Sequence, residues 1–220
     1  MANAIYQKYK QSLLSADTNV AVTSGRVKLS LVSSLNSAVF DNAHQYYSSI
    51  KAGVTSSSVL TNVTATNGVF DSDDVTLYSV TGDLSEAIVF WIDVFSSINI
   101  TAIQRTGGIV TVTTDSAHGL DPSVNNEWVT IDGTSLATGS GNNFDGTWKL
   151  LNQGVSANQF QIQQLNEPDA TGTVAGTVDI TDDANSRLIA WMDTGVTGLP
   201  FTPNGGNIDI VWNSTGIFRL

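Results

Sequence analysis

Two stretches of this sequence decide its fold: Ala87-Ile-Val-Phe-Trp-Ile-Asp93 and Leu188-Ile-Ala-Trp-Met-Asp193. Each is an unbroken apolar run that ends in Asp, and each has a Trp two residues before that Asp. Runs that are apolar on both faces are typical of central strands covered on each side. The two stretches therefore predict neighbouring antiparallel strands, the arms of one hairpin, at the centre of a sheet.

The separation of these strands along the chain predicts an inserted domain. Residues 94–187 lie between them, whereas a hairpin connection usually takes about two to five residues. The intervening segment has strand patterns of its own around the turn Thr106-Gly107-Gly108, which favours a second hairpin. Its strands are expected at residues 100–105, 109–114, 128–132, 147–151, 159–165 and 173–180. We therefore predict a discontinuous host domain, residues 1–95 and 186–220, and an inserted β domain, residues 96–185.

The rest of the chain predicts an all-β host domain. Apolar and polar residues alternate at residues 27–31, 75–78 and 207–212, which is typical of half-buried strands. The composition agrees, because 25 threonines and 24 serines stand against only three glutamates, and strong helix formers are scarce. The predicted fold class is all-β: a β-sandwich or barrel host with short N-terminal helical segments, plus a second small β-sandwich or barrel inserted at a hairpin tip.

Helical spacing occurs only in the first fifth of the chain. Ile5, Tyr9 and Leu13 recur at four-residue intervals, which predicts a short helix that ends near Ser15. A second helix is expected from an N-cap at Asp41 to about residue 50, because Asp is a favoured N-cap residue.

Composition excludes several function classes. The chain has 220 residues and no cysteine, so thiol catalysis, disulfides and thiolate zinc sites are excluded. The longest apolar run, residues 87–92, is far shorter than the roughly 20 residues of a membrane helix, and the first ten residues lack an apolar stretch of signal-peptide length. We expect neither a membrane span nor a secretion signal.

Charge is distributed unevenly. The net charge is −11; residues 1–51 hold five bases and two acids, and the remaining residues hold four bases and 18 acids. The acidic body would repel phosphate backbones, so we expect no nucleic-acid binding. The basic N-terminal end could lie against an acidic partner surface, or its lysines could simply be solvated. The predicted partner-binding residues are Tyr6, Lys8, Tyr9, Lys10, Arg26 and Lys28.

No residue pattern indicates catalysis or a metal site. His44 and His118 lack a nucleophile motif nearby, and we expect His118 to bond within a turn. The aspartates of residues 71–74 lack the glycine and later glutamate of a calcium loop, which favours a turn. Gly139 and Gly141 are not followed by the Lys of a phosphate loop. We predict no catalytic residue, no metal and no cofactor, although the spacing of paired carboxylates for glycoside cleavage is invisible in sequence.

The host segments resemble small β-rich structural proteins of tailed-bacteriophage virions. The similarity covers roughly residues 1–95 and 186–220, and its most specific part is the tail Thr194-Gly-Val-Thr-Gly-Leu-Pro-Phe-Thr-Pro-Asn-Gly-Gly-Asn-Ile-Asp-Ile-Val-Trp212. It is also seen in residues 1–15, 25–32, 67–75 and 216–220. In the shorter relatives the two central strands are joined directly. Residues 100–120, 129–133, 144–148 and 160–162 resemble a β-module that recurs in phage tail, fibre and surface proteins.

The resemblance implies a virion component with no enzymatic activity. The leading hypothesis is a capsid decoration or cement protein whose host domain docks on the major capsid protein of the phage shell, as a homotrimer, while the inserted domain projects outward. The second hypothesis is a tail or neck adaptor, or a fibre, that contacts the surface of the host cell. A third, of another class, is a glycan-binding or glycan-degrading virion protein, with a host-surface glycan as the partner of the inserted domain.

Overall fold

The protein is predominantly β, as the computed structural model shows for residues 3–123, 126–173 and 176–219. One α-helix, α1 (Gln7–Ser15), and three 3-10 helices, Ser34–Asn36, Tyr47–Ser49 and Lys51–Gly53, are the helical elements of these residues. The prediction of an all-β class is confirmed. The strands are β1 (Ala4–Ile5), β2 (Arg26–Val32), β3 (Val54–Val59), β4 (Thr64–Thr66), β5 (Val69–Asp71), β6 (Val75–Leu77), β7 (Ala87–Asp93), β8 (Phe95–Thr106), β9 (Ile109–Thr114), β10 (Trp128–Asp132), β11 (Leu136–Gly139), β12 (Gly146–Lys149), β13 (Gln159–Gln163), β14 (Ala170–Gly172), β15 (Thr177–Thr181), β16 (Arg187–Met192), β17 (Ile208–Ile210) and β18 (Phe218–Arg219).

The chain divides into two compact units. The first, here the split unit, is Met1–Val94 with Asp182–Leu220, and the second, the continuous unit, is Phe95–Thr181. The chain leaves the split unit after Val94, one residue after β7, and returns at Asp182, five residues before the start of β16. No helix among the described residues has the length and apolar character needed to cross a membrane.

The split unit is built on a five-stranded sheet in the order β1-β16-β7-β2-β3. The two apolar stretches are β7 and β16, and they pair antiparallel, with Leu188 opposite Trp91 and Trp191 opposite Val89. Every residue of β7 is buried, as are five of the six residues of β16. Burial on both faces accounts for their continuous apolar sequence. Two smaller antiparallel ladders, β17-β6 and β18-β5-β4, complete the unit.

The N-terminal helix forms where its spacing predicts it. Helix α1 ends at Ser15, after which Ala16 takes a left-handed conformation with φ 52° and its N–H bonds back to the last turn, a common helix termination. Tyr9 and Ser12 form its buried face. Ser12 Oγ accepts a hydrogen bond from Arg187 of β16, which holds the helix against the sheet.

The prediction of a second helix, at residues 41–50, is wrong. Asp41 caps a turn by accepting from Ala43 N at 2.8 Å, and only the 3-10 turns Tyr47–Ser49 and Lys51–Gly53 follow. The reason is tertiary: Tyr47 N donates to Ser186 O, and Leu188 N donates to Gln45 O. Backbone groups that bond to a neighbouring strand end cannot also form a helical ladder.

The continuous unit contains β8 to β15 around a separate apolar core. Its strands form an antiparallel sheet in the order β11-β14-β8-β15-β10-β12, and β9 joins β8 to β13. The turn between β8 and β9 has Gly107 and Gly108 at φ 58° and 79°, the paired left-handed residues of a type I′ hairpin. Two short strands, β11 and β14, are absent from the prediction, and of the predicted strand at residues 173–180, Val174 and Ala175 lie outside the described residues.

The two chain ends of the split unit at its interruption, Val94 and Asp182, are hydrogen-bonded to each other, which predicts that the split unit folds without the continuous unit. Asp182 N donates to Val94 O at 2.6 Å, so a chain cut after Val94 and resumed at Asp182 needs only a two-residue Asn-Gly turn to keep this bond. We expect a chain lacking residues 95–181 to retain a cooperative thermal transition and a near-ultraviolet circular dichroism signal. Aggregation of this variant, or loss of the cooperative transition, would show that residues 95–181 are part of one continuous fold.

Candidate docking groove

A groove of about 480 Å³ lies in the split unit beside strand β1. Its polar lining comprises the cations Lys10 and Arg219 and the amides Asn3, Gln7 and Asn42. Its apolar lining comes from β1, from the end of β16 and from β18. No Asp or Glu is among the described residues that line it. The groove is therefore cationic in a protein of net charge −11.

Two strands at the edges of their sheets, β1 and β18, contribute residues to this groove. Strand β1 is the last strand of the five-stranded sheet and has only two residues. Tyr6, the next residue, is wholly buried and is the N-cap of α1. The strand therefore ends at Ile5, where the chain turns into the helix. Strand β18 is the last strand of the three-stranded ladder. Residues of both strands line the groove, and each strand has one edge that pairs with no further strand among the described residues.

Most basic side chains of this protein are bound within the fold, whereas the two cations of the groove are exposed. Five of the nine basic side chains are bound within the fold: Arg26 and Lys28 to Asp93, Lys51 to Asp183, Arg187 to Asp17, and Arg105 to carbonyl oxygens. Lys10 and Arg219 are exposed and form no ion pair with any described residue. Their charges are available to a partner.

Arg26 and Lys28 have a structural role that the sequence did not reveal. Lys28 is 1% exposed, and its Nζ lies 2.9 Å from Asp93 Oδ2. Arg26 Nε donates to the same oxygen at 2.8 Å. A buried, ion-paired lysine cannot reach a partner surface, so the prediction that Lys28 lies on a docking face is not met by its position.

Tyr6 and Tyr9 are also inside the unit, at 0% and 1% exposure. Tyr9 Oη donates to Val20 O at 2.9 Å, and the Tyr6 ring lies 5.2 Å from the ring of Phe40. Of the six residues predicted to bind a partner, the structure thus places Lys10 in the groove and Lys8, half-buried, on the same helix. A role for these two lysines in docking stays a prediction.

Burial of the two tyrosines predicts a loss of stability at alkaline pH. Burial raises the pKa of Tyr6 above its ordinary value and raises the pKa of Tyr9 to about 12, against a smaller lowering by Arg187. The folded state therefore favours the protonated phenols. Their contribution to stability is complete below the unfolded-chain pKa of about 10 and is lost as the pH rises above it.

This alkaline effect is measured by following tyrosinate absorbance and circular dichroism together as the pH rises. We expect part of the absorbance change to coincide with unfolding, and we expect a Tyr6→Phe variant to unfold less steeply with pH. If all five tyrosines ionised in one reversible step without any change in circular dichroism, the burial of Tyr6 and Tyr9 would be contradicted.

The histidine and aspartate patterns have structural explanations. His118 Nδ1 accepts from Leu120 N at 3.1 Å, a bond within its own turn, and Nε2 lies 3.2 Å from Gln159 O. Asp73 Oδ2 accepts from Thr61 and Asn62, and Asp74 accepts from Trp212 N. These carboxylates organise turns. In residues 3–123, 126–173 and 176–219 no group of three or more His, Cys, Asp or Glu is arranged to hold a metal.

Sequence reasoning missed Arg219. Its signal was weak: one arginine near the end of a strongly acidic segment, without a periodic pattern. Only the fold brings it to the groove that also contains Lys10, because β18 returns to pair with β5. Comparisons of the chain with protein-family models, with curated proteins and with solved structures found no match.

Proposed function

We propose that this chain is a non-enzymatic structural protein of a tailed-bacteriophage virion, which decorates and stabilises the capsid. In this proposal the split unit docks on the major capsid protein as a homotrimer, and the continuous unit is exposed on the particle surface. The observation that carries the proposal is the cationic groove: its two cations, Lys10 and Arg219, form no ion pair with any described residue and lie on the split unit of an otherwise acidic protein.

The charge pattern suits a protein that adheres to a large assembly. A cationic contact face attracts an acidic partner surface and orients the encounter. The remaining acidic surface keeps densely arranged copies apart and soluble. A protein that binds only the assembled shell stabilises that shell by mass action, so adhesion by itself performs the proposed function without chemistry.

The proposal is tested on particles that lack the protein. We expect such shells to rupture at lower temperature or under milder osmotic shock than complete particles, and we expect added purified protein to restore resistance. Unchanged shell stability would reject the stabilising role. Electron micrographs of labelled particles give the location: labels over the capsid faces support decoration, and labels confined to one vertex would instead support the tail or neck hypothesis.

A further inference from the structure

We propose that the groove beside β1 binds an extended acidic segment of a partner protein, which pairs with β1 as an added strand. This inference rests on the proposed function, because it names the chemistry of the segment to which the split unit would dock. Addition of a strand to an open sheet edge is a common mode of peptide recognition, in which main-chain bonds give affinity and alternate side chains give specificity.

The backbone of β1 offers the bonds that an added strand needs. Tyr6 N donates to Ile189 O of β16, and Ala4 and Ile5 stand opposite Trp191 and Ala190. Peptide groups alternate in direction along an antiparallel strand. Because Tyr6 bonds towards β16, the peptide groups of Ile5 are directed away from β16, at the edge that lines the groove.

The charge of the groove selects an acidic segment. Lys10 from α1 and Arg219 from β18 both line it, and no described lining residue is a carboxylate. A basic segment would be repelled, and a purely apolar segment would leave both cations unpaired. Carboxylates on alternate residues of an added strand lie on one side of it, so two of them can face the two cations while the intervening side chains meet the apolar lining.

The dimensions of the groove favour a short segment over a folded surface. Its volume of about 480 Å³ lies within the range of about 300 to 1,000 Å³ that is usual for small-ligand sites. Strand β1 has two residues, and α1 begins two residues after it ends. The helix therefore bounds one end of the edge, and only a few residues of a partner can pair there.

The test uses the full-length purified protein and three acetylated, amidated octapeptides: four Glu-Val repeats, four Lys-Val repeats, and four Glu-Val repeats in which every backbone nitrogen is methylated. Binding is measured by calorimetry and by the change in the protein's tryptophan fluorescence, to which Trp191 in the lining of the groove contributes. We expect Glu-Val to bind, Lys-Val not to bind, and the N-methylated Glu-Val to bind at least about fivefold more weakly, because none of its eight residues has a backbone N–H to donate to the strand.

Variants identify the binding site. We expect K10E combined with R219E to weaken Glu-Val binding by about tenfold or more, since both cations of the groove are reversed. Lys149→Glu, the same reversal at an exposed position of the continuous unit, should change binding less than about twofold at moderate ionic strength. Circular dichroism of each variant verifies that it is folded.

Several outcomes would overturn the inference. Absence of Glu-Val binding, equal binding of Lys-Val, or an unchanged affinity in the double variant would each reject the acidic segment. Equal binding of the N-methylated Glu-Val would reject the added strand. Self-association of the protein that Glu-Val abolishes would reject a separate partner in favour of a second copy. These measurements use no particles, so their failure leaves the shell-stability test of the proposed function untouched, and the reverse also holds.

Discussion

Replacing Asp93 by Asn is expected to destabilise the split unit by about 3 to 5 kcal/mol, the usual cost of removing one partner from a buried ion pair. Asp93 is 4% exposed and is the shared counter-ion of Arg26 and Lys28. The substitution keeps the shape of the side chain but removes the negative charge with which both cations are paired. Lys28, at 1% exposure, cannot turn to water without opening the sheet.

The environment of Lys28 makes this cost difficult to relieve. Strand β2 lies between β7 and β3, and six of its seven residues are buried. The Lys28 ammonium lies 5.2 Å from the ring centroid of Trp91, whose other neighbour is the stacked ring of Tyr47 at 4.1 Å. An aromatic face stabilises a cation by about 1 to 2 kcal/mol, which is less than the expected loss.

The measurement is equilibrium denaturation of D93N and of two companion variants. Asp183→Asn removes the partner of Lys51 from an ion pair whose side chains are 11% and 29% exposed, and we expect a loss of about 1 kcal/mol or less. Adding Lys28→Met to D93N removes the uncompensated buried ammonium and should recover part of the stability. A loss of less than about 1 kcal/mol in D93N itself would contradict the role of this carboxylate.

The central strands could be predicted because burial on both faces of a sheet requires a continuous apolar sequence, which is visible without the structure. The runs at residues 87–92 and 188–192 are apolar throughout, and the structure pairs them. The hairpin at Gly107 and Gly108 was predictable for a local reason, since its turn needs two residues of positive φ. Strands β11 and β14 were not predictable, because they are only three or four residues long and consist largely of Ala, Thr and Gly.

The candidate site was harder to predict because it depends on long-range contacts. In sequence, Lys28 is the polar residue between Val27 and Leu29, which indicates an exposed side chain. Its burial depends on Asp93, which no local pattern associates with it. Lys10 was a candidate from charge alone, but Arg219 is more than 200 residues away in the chain. Only the pairing of β18 with β5 brings it to the groove.

The continuous unit also depends on a buried cation, but one held by neutral oxygens. Arg105 is 0% exposed. Its Nε donates to Pro168 O at 2.6 Å, Nη1 to Asn142 O at 3.1 Å and to Gln164 Oε1, and Nη2 to Ser140 O at 3.0 Å. Its guanidinium carbon lies 5.3 Å from the centroid of Phe144. These acceptors belong to two connections, β11 to β12 and β13 to β14, so one side chain joins both.

Replacing Arg105 by Met is therefore expected to cost about 3 to 5 kcal/mol in the stability of the continuous unit. Met approximates the length of the side chain but removes four hydrogen bonds from a charged donor, each worth about 1.5 to 3 kcal/mol and only partly additive; of the four acceptor residues, Gln164 is buried. Lysine keeps the charge without the planar fork, so Arg105→Lys should recover only a minor part of the loss. Arg219→Met, the same substitution at an exposed position, should change stability by less than about 0.5 kcal/mol.

Hydrogen exchange should show the loss of protection in the Arg105→Met variant first at residues 139–143 and 164–169. Unchanged protection there would mean that Arg105 does not hold these two connections.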